Sequence, residues 1–484
     1  MPCEARDAMT PSDILWIAVP ALEVLWVSWV VVYILLERRS PGATLAWILI
    51  LAFLPIFGLV FYFFVGPRRF ERKKRRFLAA RTSVRQRTAE DIRRDLHDAR
   101  AASLVALGEN VTGLVGRPRA AELELFVEGA AAYASLAEAI EGAKHHVHLE
   151  YYIWDADRTG ARFRDLLARR AREGIEVRVL LDAFGTSKTA DAFWEPLRAA
   201  GGRVESFNPL RITRFRPRLV NFRTHRKIAV IDGKVAFTGG MNVADCHTSE
   251  VVGDAAWRDT HVRAIGPVAR GFQMVFLGDW EFASGEAVSG QSYFPPEADL
   301  GAAISAQVFA SGPDETFDAI HKLYVGAVSS ARRRVMLTSP YFVPDEALRV
   351  ALETAALGGA KVSVLVPKDG DVPLVAAAAR SYYPELVASG VRVYEYGPPV
   401  LHAKTLVVDD LVAVVGTANA DPRSFRLNFE VALAAWDPGT CDALAAAFEA
   451  DLASSTEITE KAIAEWSLGR RIASAGARLF SPML

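Results

Sequence analysis

The chain has 484 residues, enough for two or three domains with sizeable cores. A formal net charge of −1 at pH 7 gives no global basic field, which argues against a nucleic-acid binder. Three cysteines, Cys3, Cys246 and Cys441, lie far apart without a C-x-x-C pair, so neither a disulfide framework nor a zinc site is written into the chain.

Ile14 to Leu36 is a run of 23 mostly apolar residues, interrupted by Pro20, Glu23 and Ser28, and Ala43 to Val65 is a second run of 23 with no charge. At 1.5 Å per residue each reaches roughly 34 Å, slightly more than a hydrocarbon core. Residues 1–66 are therefore predicted to form a two-helix transmembrane hairpin, with spans at about 14–36 and 43–65, closed by Glu37–Gly42. Glu23 is expected to face the partner helix or to be protonated. The leader Met1–Asp13 holds Glu4, Asp7 and Asp13 against one arginine, which does not suit a cleaved signal peptide. Seven basic residues follow between Arg68 and Arg76, against two arginines in the hairpin loop. This asymmetry predicts a cytoplasmic catalytic region, and the cluster suits anionic membrane lipids. Residues 67–120 read as a basic and helical linker.

From about Leu123, short β-branched strands alternate with alanine-rich helical stretches, the pattern of α/β layers. Two halves echo each other, 121–300 and 301–484. His146–Asp155 resembles Val335–Pro344, Gly174–Leu181 resembles Gly359–Val366, and Gly202–Phe207 resembles Gly390–Glu395. Each half then carries H-x-K-x4-D followed by G-x-x-N: His225, Lys227, Asp232 and Asn242 in the first, His402, Lys404, Asp409 and Asn419 in the second. A second copy 177 positions after the first makes a chance match remote.

In H-x-K the two side chains lie two residues apart, on one face of an extended strand. An imidazole beside an ammonium provides a nucleophile for phosphorus and fixed positive charge for non-bridging oxygens. Ile228, Val230, Thr405 and Val407 are expected to turn the other way and pack. Two such motifs around one phosphate let one histidine attack while the other protonates the leaving alkoxide and then activates the incoming alcohol. With two lysines supplying charge, no metal and no other cofactor is expected. Each histidine also needs an acceptor on its second ring nitrogen, and Asp259 and Glu430 are the predicted orienters. Asp232 and Asp409 are placed with the catalytic set, although bracing a turn would suit them equally. His145, His146 and His148 are a weak H-x-H signal, Cys246 beside His247 reads as incidental, and Arg211–Arg218 suits either an interfacial lip or a solvated loop.

The duplicated motif resembles the phospholipase D superfamily, and its surroundings resemble bacterial cardiolipin synthases. These include Arg38-Arg39-Ser-Pro41, Asn221–Ile228, Thr238–Asn242, Trp257–Val262, Ser339–Pro344, Asp421–Phe425 with Asn428–Glu430, and Ser481–Leu484. Thr417 stands where serine is frequent, and 244–254 resembles the family less than its flanks. The resemblance implies two tandem phospholipase D-like domains, mixed sheets flanked by helices, in a multi-pass protein of the bacterial inner membrane. It implies a phosphatidyl-histidine intermediate and the joining of two phosphatidylglycerols with release of glycerol, with Asn242, Asn419 and Thr417 binding substrate. Phosphodiester hydrolysis is the alternative. His225 is the implied nucleophile and His402 the acid–base group, although the symmetry permits the reverse. The cations Arg223, Arg226 and Lys227 around His225 favour a neutral imidazole, and Glu430 is the expected partner of His402.

Overall fold

The computed structural model describes residues 25–32, 34, 41–54, 98–208, 222–296, 300, 303–315, 317–370 and 372–481. They fall in two separate units, an N-terminal one within residues 1–68 and the remainder. Most of the two expected spans, Glu23, the basic cluster Arg68–Arg76 and the insert Arg211–Arg218 lie outside the described residues.

In the N-terminal unit the chain is helical at 25–32 and in α1, Pro41–Phe53. Val30 and Ile34 pack with Trp47 and Leu51, while Leu25, Trp29, Leu45 and Leu49 point outward. Among the described residues no helix is long and apolar enough to cross a membrane.

The second unit is built on one sheet, in which the described strands are arranged about a central pair. In chain order the strands of the first half are β1 (Arg119–Phe126), β2 (His146–Tyr151), β3 (Glu176–Asp182), β4 (Arg203–Phe207), β5 (Ile228–Ile231), β6 (Val235–Gly239) and β7 (His261–Ile265). Those of the second are β8 (Ile304–Ser311), β9 (Arg334–Thr338), β10 (Lys361–Pro367), β11 (Arg392–Tyr396), β12 (Thr405–Val408), β13 (Val412–Gly416), β14 (Glu430–Ala435) and β15 (Ser455–Ile458). From the outside inward the first half reads β4-β3-β2-β5-β6-β7-β1, and the second reads β11-β10-β9-β12-β13-β14-β8 with β15 added at its edge. β1 and β8 pair antiparallel at the centre, Ala120 opposite Ser305. In both halves the outer three strands are parallel and the inner ones antiparallel, so the repeat is exact in topology.

Register corrects the alignment of the halves by one residue. Glu150 pairs with Ile228 and Thr338 with Thr405, the equivalent motif positions, so Glu150 answers Thr338 and not Ser339. On a strand a slip of one exchanges the faces, and β2 is buried on both, which removes the alternation that would have revealed it.

Each half has its own core, and a third core joins them. There Ile228 and Val230 of β5 meet Val407 of β12 together with Val431, Leu433, Val308 and Phe272. The expected linker is more than a spacer. Its helix α2 (Ala99–Thr112) buries Leu104 and Val105 in the core of the second half. A side chain at Gly108 would meet Phe309 at 2.6 Å, so the helix can lie this close only without one. Two further helices matter below: α3 (Pro373–Arg380) and the terminal α4 (Leu468–Arg478).

Candidate active site

His225 and His402 stand just before β5 and β12, where the chain leaves the sheet and crosses to the other half. The backbone makes the crossing twice in the same way. Phe429 donates its N–H to the Arg223 carbonyl and accepts from the N–H of His225, both at 2.9 Å. Arg258 donates to the Val400 carbonyl and accepts from the N–H of His402, both at 2.8 Å. Phe429 precedes Glu430 and Arg258 precedes Asp259, so each bridge delivers a carboxylate to the histidine of the opposite half. Glu430 lies 3.0 Å from His225 Nδ1, and Asp259 lies 2.7 Å from His402 Nδ1. The expected partnership of His402 with Glu430 is thus corrected: the orienters are exchanged between halves. A carboxylate on Nδ1 stabilises the Nδ1–H tautomer and leaves the Nε2 lone pair for chemistry.

Both ammonium groups turn back onto their own motif. Lys227 Nζ donates to the His225 carbonyl at 2.8 Å, and Lys404 Nζ donates to the His402 carbonyl and lies 3.1 Å from its Nδ1. Burial, with Lys404 nearby, pushes Lys227 down to about 7. Burial first, then neighbouring ammonium groups, hold His402 well below the ordinary imidazole range. His225 is also lowered by burial, with Glu430 pulling the other way. Empty, the site holds two neutral imidazoles.

Asn242 accepts the Ile153 N–H on Oδ1 at 3.2 Å, which leaves its NH2 as the donor end. Asn419 has a buried Oδ1 without a partner. Tyr152 stands beside His225 and Trp257 beside His402, ring centroids 5.0 and 5.2 Å apart, as aromatic walls.

Three expected residues do other work. Asp232 sits at the far end of β5, roughly 16 Å along the strand from Lys227, and accepts the N–H groups of Lys144, His145 and His146. Asp409 does the same for Arg332, Arg333 and Arg334 and adds an ion pair with Arg100. Both adopt left-handed backbone, at φ 54° and 51°, in the turn after the motif strand. They brace the hairpin and do not meet the histidines. Thr417 is fully buried, and its hydroxyl donates to Glu430, so the structure places it against the orienter.

Three residues that motif reading passed over belong to the site. Arg226 is buried and spans both halves, donating to the carbonyls of Glu430 and Ser311 at 3.1 Å each while pairing with Asp279. Glu150 lies behind it, bonded to Thr224, and burial beside Asp279 keeps its carboxyl far above the usual range. His247 accepts the Asn242 N–H on Nε2 at 3.3 Å and points Nδ1 at Asp259 from 3.6 Å. The Cys-His pair read as incidental contained it. The signal open to sequence was positional: Ser424, five residues after Asn419, accepts the Asn419 N–H as His247 does five residues after Asn242.

His247, Asp259 and His402 have ligand atoms within 4.8 Å of one another, a metal-like reach. The set does not suit a dication, because Lys404 adjoins the same nitrogen and the charge of Lys227 reaches both histidines. Of the histidine triplet, His146 and His148 are buried, bond to Gln273 and pack on Phe276 and Tyr293 as core side chains do, while His145 is exposed and its ring nitrogen lies 2.9 Å from that of His146.

Paired H-x-K motifs, at the seam of two like halves of one sheet and each oriented by the other's carboxylate, define a phospholipase D-like enzyme. Residues 136–273 and 324–452 match the family model described as cardiolipin synthase, phospholipase D-like domain, and residues 24–67 match the phospholipase D-nuclease N-terminal model. The chain is 37% identical over 467 residues to a cardiolipin synthase of Geobacillus kaustophilus, covering 95% of this chain and 92% of that one. It is 35% identical over 467 residues to a cardiolipin synthase of Alkalihalophilus pseudofirmus, covering 94% and 91%. The chain belongs to the cardiolipin synthase family of phospholipase D-like proteins. Its fold is similar to that of phosphatidylserine synthase from Haemophilus influenzae, with a TM-score of 0.61 at 17% identity over 79% of this chain and 100% of that one.

Proposed function

We propose that this chain joins two phosphatidylglycerol molecules into cardiolipin and glycerol through a phosphatidyl-histidine. His225 Nε2 attacks phosphorus, the bond from phosphorus to the glycerol oxygen breaks, and His402 gives that oxygen its proton. The hydroxyl of a second phosphatidylglycerol then passes its proton to His402 and attacks phosphorus, the P–N bond breaks, and cardiolipin leaves. Lys227, Lys404 and the NH2 groups of Asn242 and Asn419 hold the non-bridging oxygens through both steps. The arriving phosphodiester carries negative charge that raises both imidazoles and Lys227 toward protonation. The observation that carries this reading is the exchange of orienters, Glu430 on His225 and Asp259 on His402, which ties two half-sites around one phosphate.

Residues 1–66 act as a membrane hairpin with the catalytic region on the cytoplasmic side. The outward apolar residues Leu25, Trp29, Leu45 and Leu49 support this, as does the basic run after Val65. Purified protein given phosphatidylglycerol, with products separated by thin-layer chromatography, tests the reaction. Cardiolipin is expected; phosphatidic acid as the main product would identify a hydrolase. A reporter fused after Leu484 tests the topology and should be active in the cytoplasm.

A further inference from the structure

The terminal helix α4 carries three arginines and no acidic residue. Leu468, Ile472, Ala475 and Leu479 recur at helical spacing, and at ~100° per residue they fall within an arc of about 60°. Every one of them is exposed, Leu468 by 72%, Ile472 by 63% and Leu479 by 81%, and Phe480 beside them by 49%. A soluble surface ordinarily scatters such residues singly; an aligned stripe marks something that covers it. The opposite face is the one that packs on the protein. Ser474 and Ala477 are buried, Arg478 pairs with Glu385 at 2.7 Å and lies over Tyr382, and Ser481 bonds the Tyr382 hydroxyl. Arg470 and Arg471 remain at the surface, one over the Trp466 ring and one on the Ala464 carbonyl.

We propose that α4 is a membrane-docking helix, its apolar stripe lying in the interfacial layer of an anionic lipid surface with Arg471, which borders the stripe, against the phosphates. Charge selects this occupant. An apolar stripe bordered by Arg471, on a helix without a carboxylate, matches the headgroup boundary of an acidic bilayer. The inference goes beyond the proposed reaction but draws on its anionic lipid substrate. The position fits as well. α4 packs on α3, and α3 contributes Val375 and Ala379 to a cleft that Pro340, Tyr341, Val366 and Pro367 complete. Pro340 and Tyr341 follow Ser339, whose hydroxyl accepts the N–H of Ala420, next to Asn419. One helix therefore separates the lipid contact from the edge of the site, which suits a substrate drawn directly from the bilayer.

The test uses the full chain with Cys3→Ser, Cys246→Ser and Ile472→Cys, carrying a polarity-sensitive dye at the new thiol. In vesicles of phosphatidylglycerol and phosphatidylcholine the emission should shift to the blue and be quenched by lipids brominated on their acyl chains. Water-like emission overturns the proposal, and so does blue-shifted emission that brominated lipid leaves unquenched, since the cover is then protein. This reading needs no turnover and stands or falls apart from the transferase activity. In the otherwise native chain, Leu468→Ser/Ile472→Ser/Leu479→Ser should lose roughly tenfold in rate on vesicle substrate while keeping its rate on monomeric dihexanoyl-phosphatidylglycerol. Equal loss on both substrates, or loss on neither, also overturns it.

Discussion

His225 and His402 occupy equivalent places in a duplicated fold, yet their surroundings differ in kind. Glu430, which holds His225, also accepts from the Thr417 hydroxyl and from Asn428 Nδ2 at 3.2 Å. Asp259, which holds His402, takes the Thr260 N–H at 2.7 Å and faces the imidazole of His247. The position of Thr417 is filled in the first half by Gly240, where a Cβ would meet Asp259 Oδ1 at 2.1 Å. Behind His225 runs a buried polar chain of Arg226, Asp279, Glu150 and Thr224; behind His402 the same positions hold Ala403, Thr338 and Leu401. A buried cation paired and bonded on several sides fixes geometry more than it adds stability. The duplication thus preserves the imidazole and ammonium while the backing diverges, and in the proposed mechanism that difference gives two like groups unequal tasks.

The largest effects come from the histidines. His225→Ala and His402→Ala should each lose about 10³-fold or more in turnover, which cannot separate their roles. Trapping sharpens the comparison. With a lipid bearing a good leaving group, His402→Ala should accumulate phosphatidyl label and His225→Ala should not; label only on the His225→Ala protein would exchange the roles. The resting electrostatics make this a severe test, because His402 is held well below the ordinary range by burial and Lys404 and must gain its proton after substrate arrives.

Next come the exchanged carboxylates. Glu430→Gln and Asp259→Asn should each cost on the order of 10²-fold or more by losing the charge that orients an imidazole. If the exchange holds in solution, Glu430→Gln should reduce label formation in the His402→Ala background, whereas Asp259→Asn in that background should leave it unchanged. The reverse pattern, read from labelling rates, would break the assignment.

The Gly240–Thr417 difference should be smaller and asymmetric. Gly240→Ser drives a side chain into Asp259 and should cost about 10²-fold. Thr417→Val removes one donor to a charged acceptor and should cost roughly tenfold. Equal losses by steady-state kinetics would mean that the two carboxylates are held alike after all.

The mildest signal is a proton. Lys227, with a value of about 7 in the empty site, is protonated below that pH and mainly neutral above it. An anionic phosphodiester raises that value, so on binding of a phosphatidylglycerol analogue Lys227 should take up close to one proton at pH 8 and almost none at pH 6, in addition to what the imidazoles gain. Calorimetry in buffers of different ionisation heat reads the total, and Lys227→Met should lower it by close to one proton at pH 8 and hardly at all at pH 6.

The motif spacing made both histidines and both lysines legible, and the matching positions after the two motifs pointed to the two carboxylates. The partnership of carboxylates and histidines was not legible, since it depends on how the halves dock. Nor was the register of the repeat, because strands buried on both faces carry no alternation. The contact of Thr417 with Glu430 was hidden for a related reason: a hydroxyl beside a motif suits substrate or scaffold equally until burial is known. In the sequence Arg226 was one of three cations around His225, and only the buried Asp279 and the carbonyls of the second half reveal a clamp between the halves.

The antiparallel pairing of β1 with β8 has a genetic consequence. It joins both half-sites within one polypeptide, so both histidines must come from the same translation product. A cell carrying one allele with His225→Ala and another with His402→Ala therefore makes two proteins, each with half a centre, and gains no whole one by mixing them. The alleles fail to complement, as two lesions in a single indivisible unit do, although they lie in separate copies of an ancient repeat.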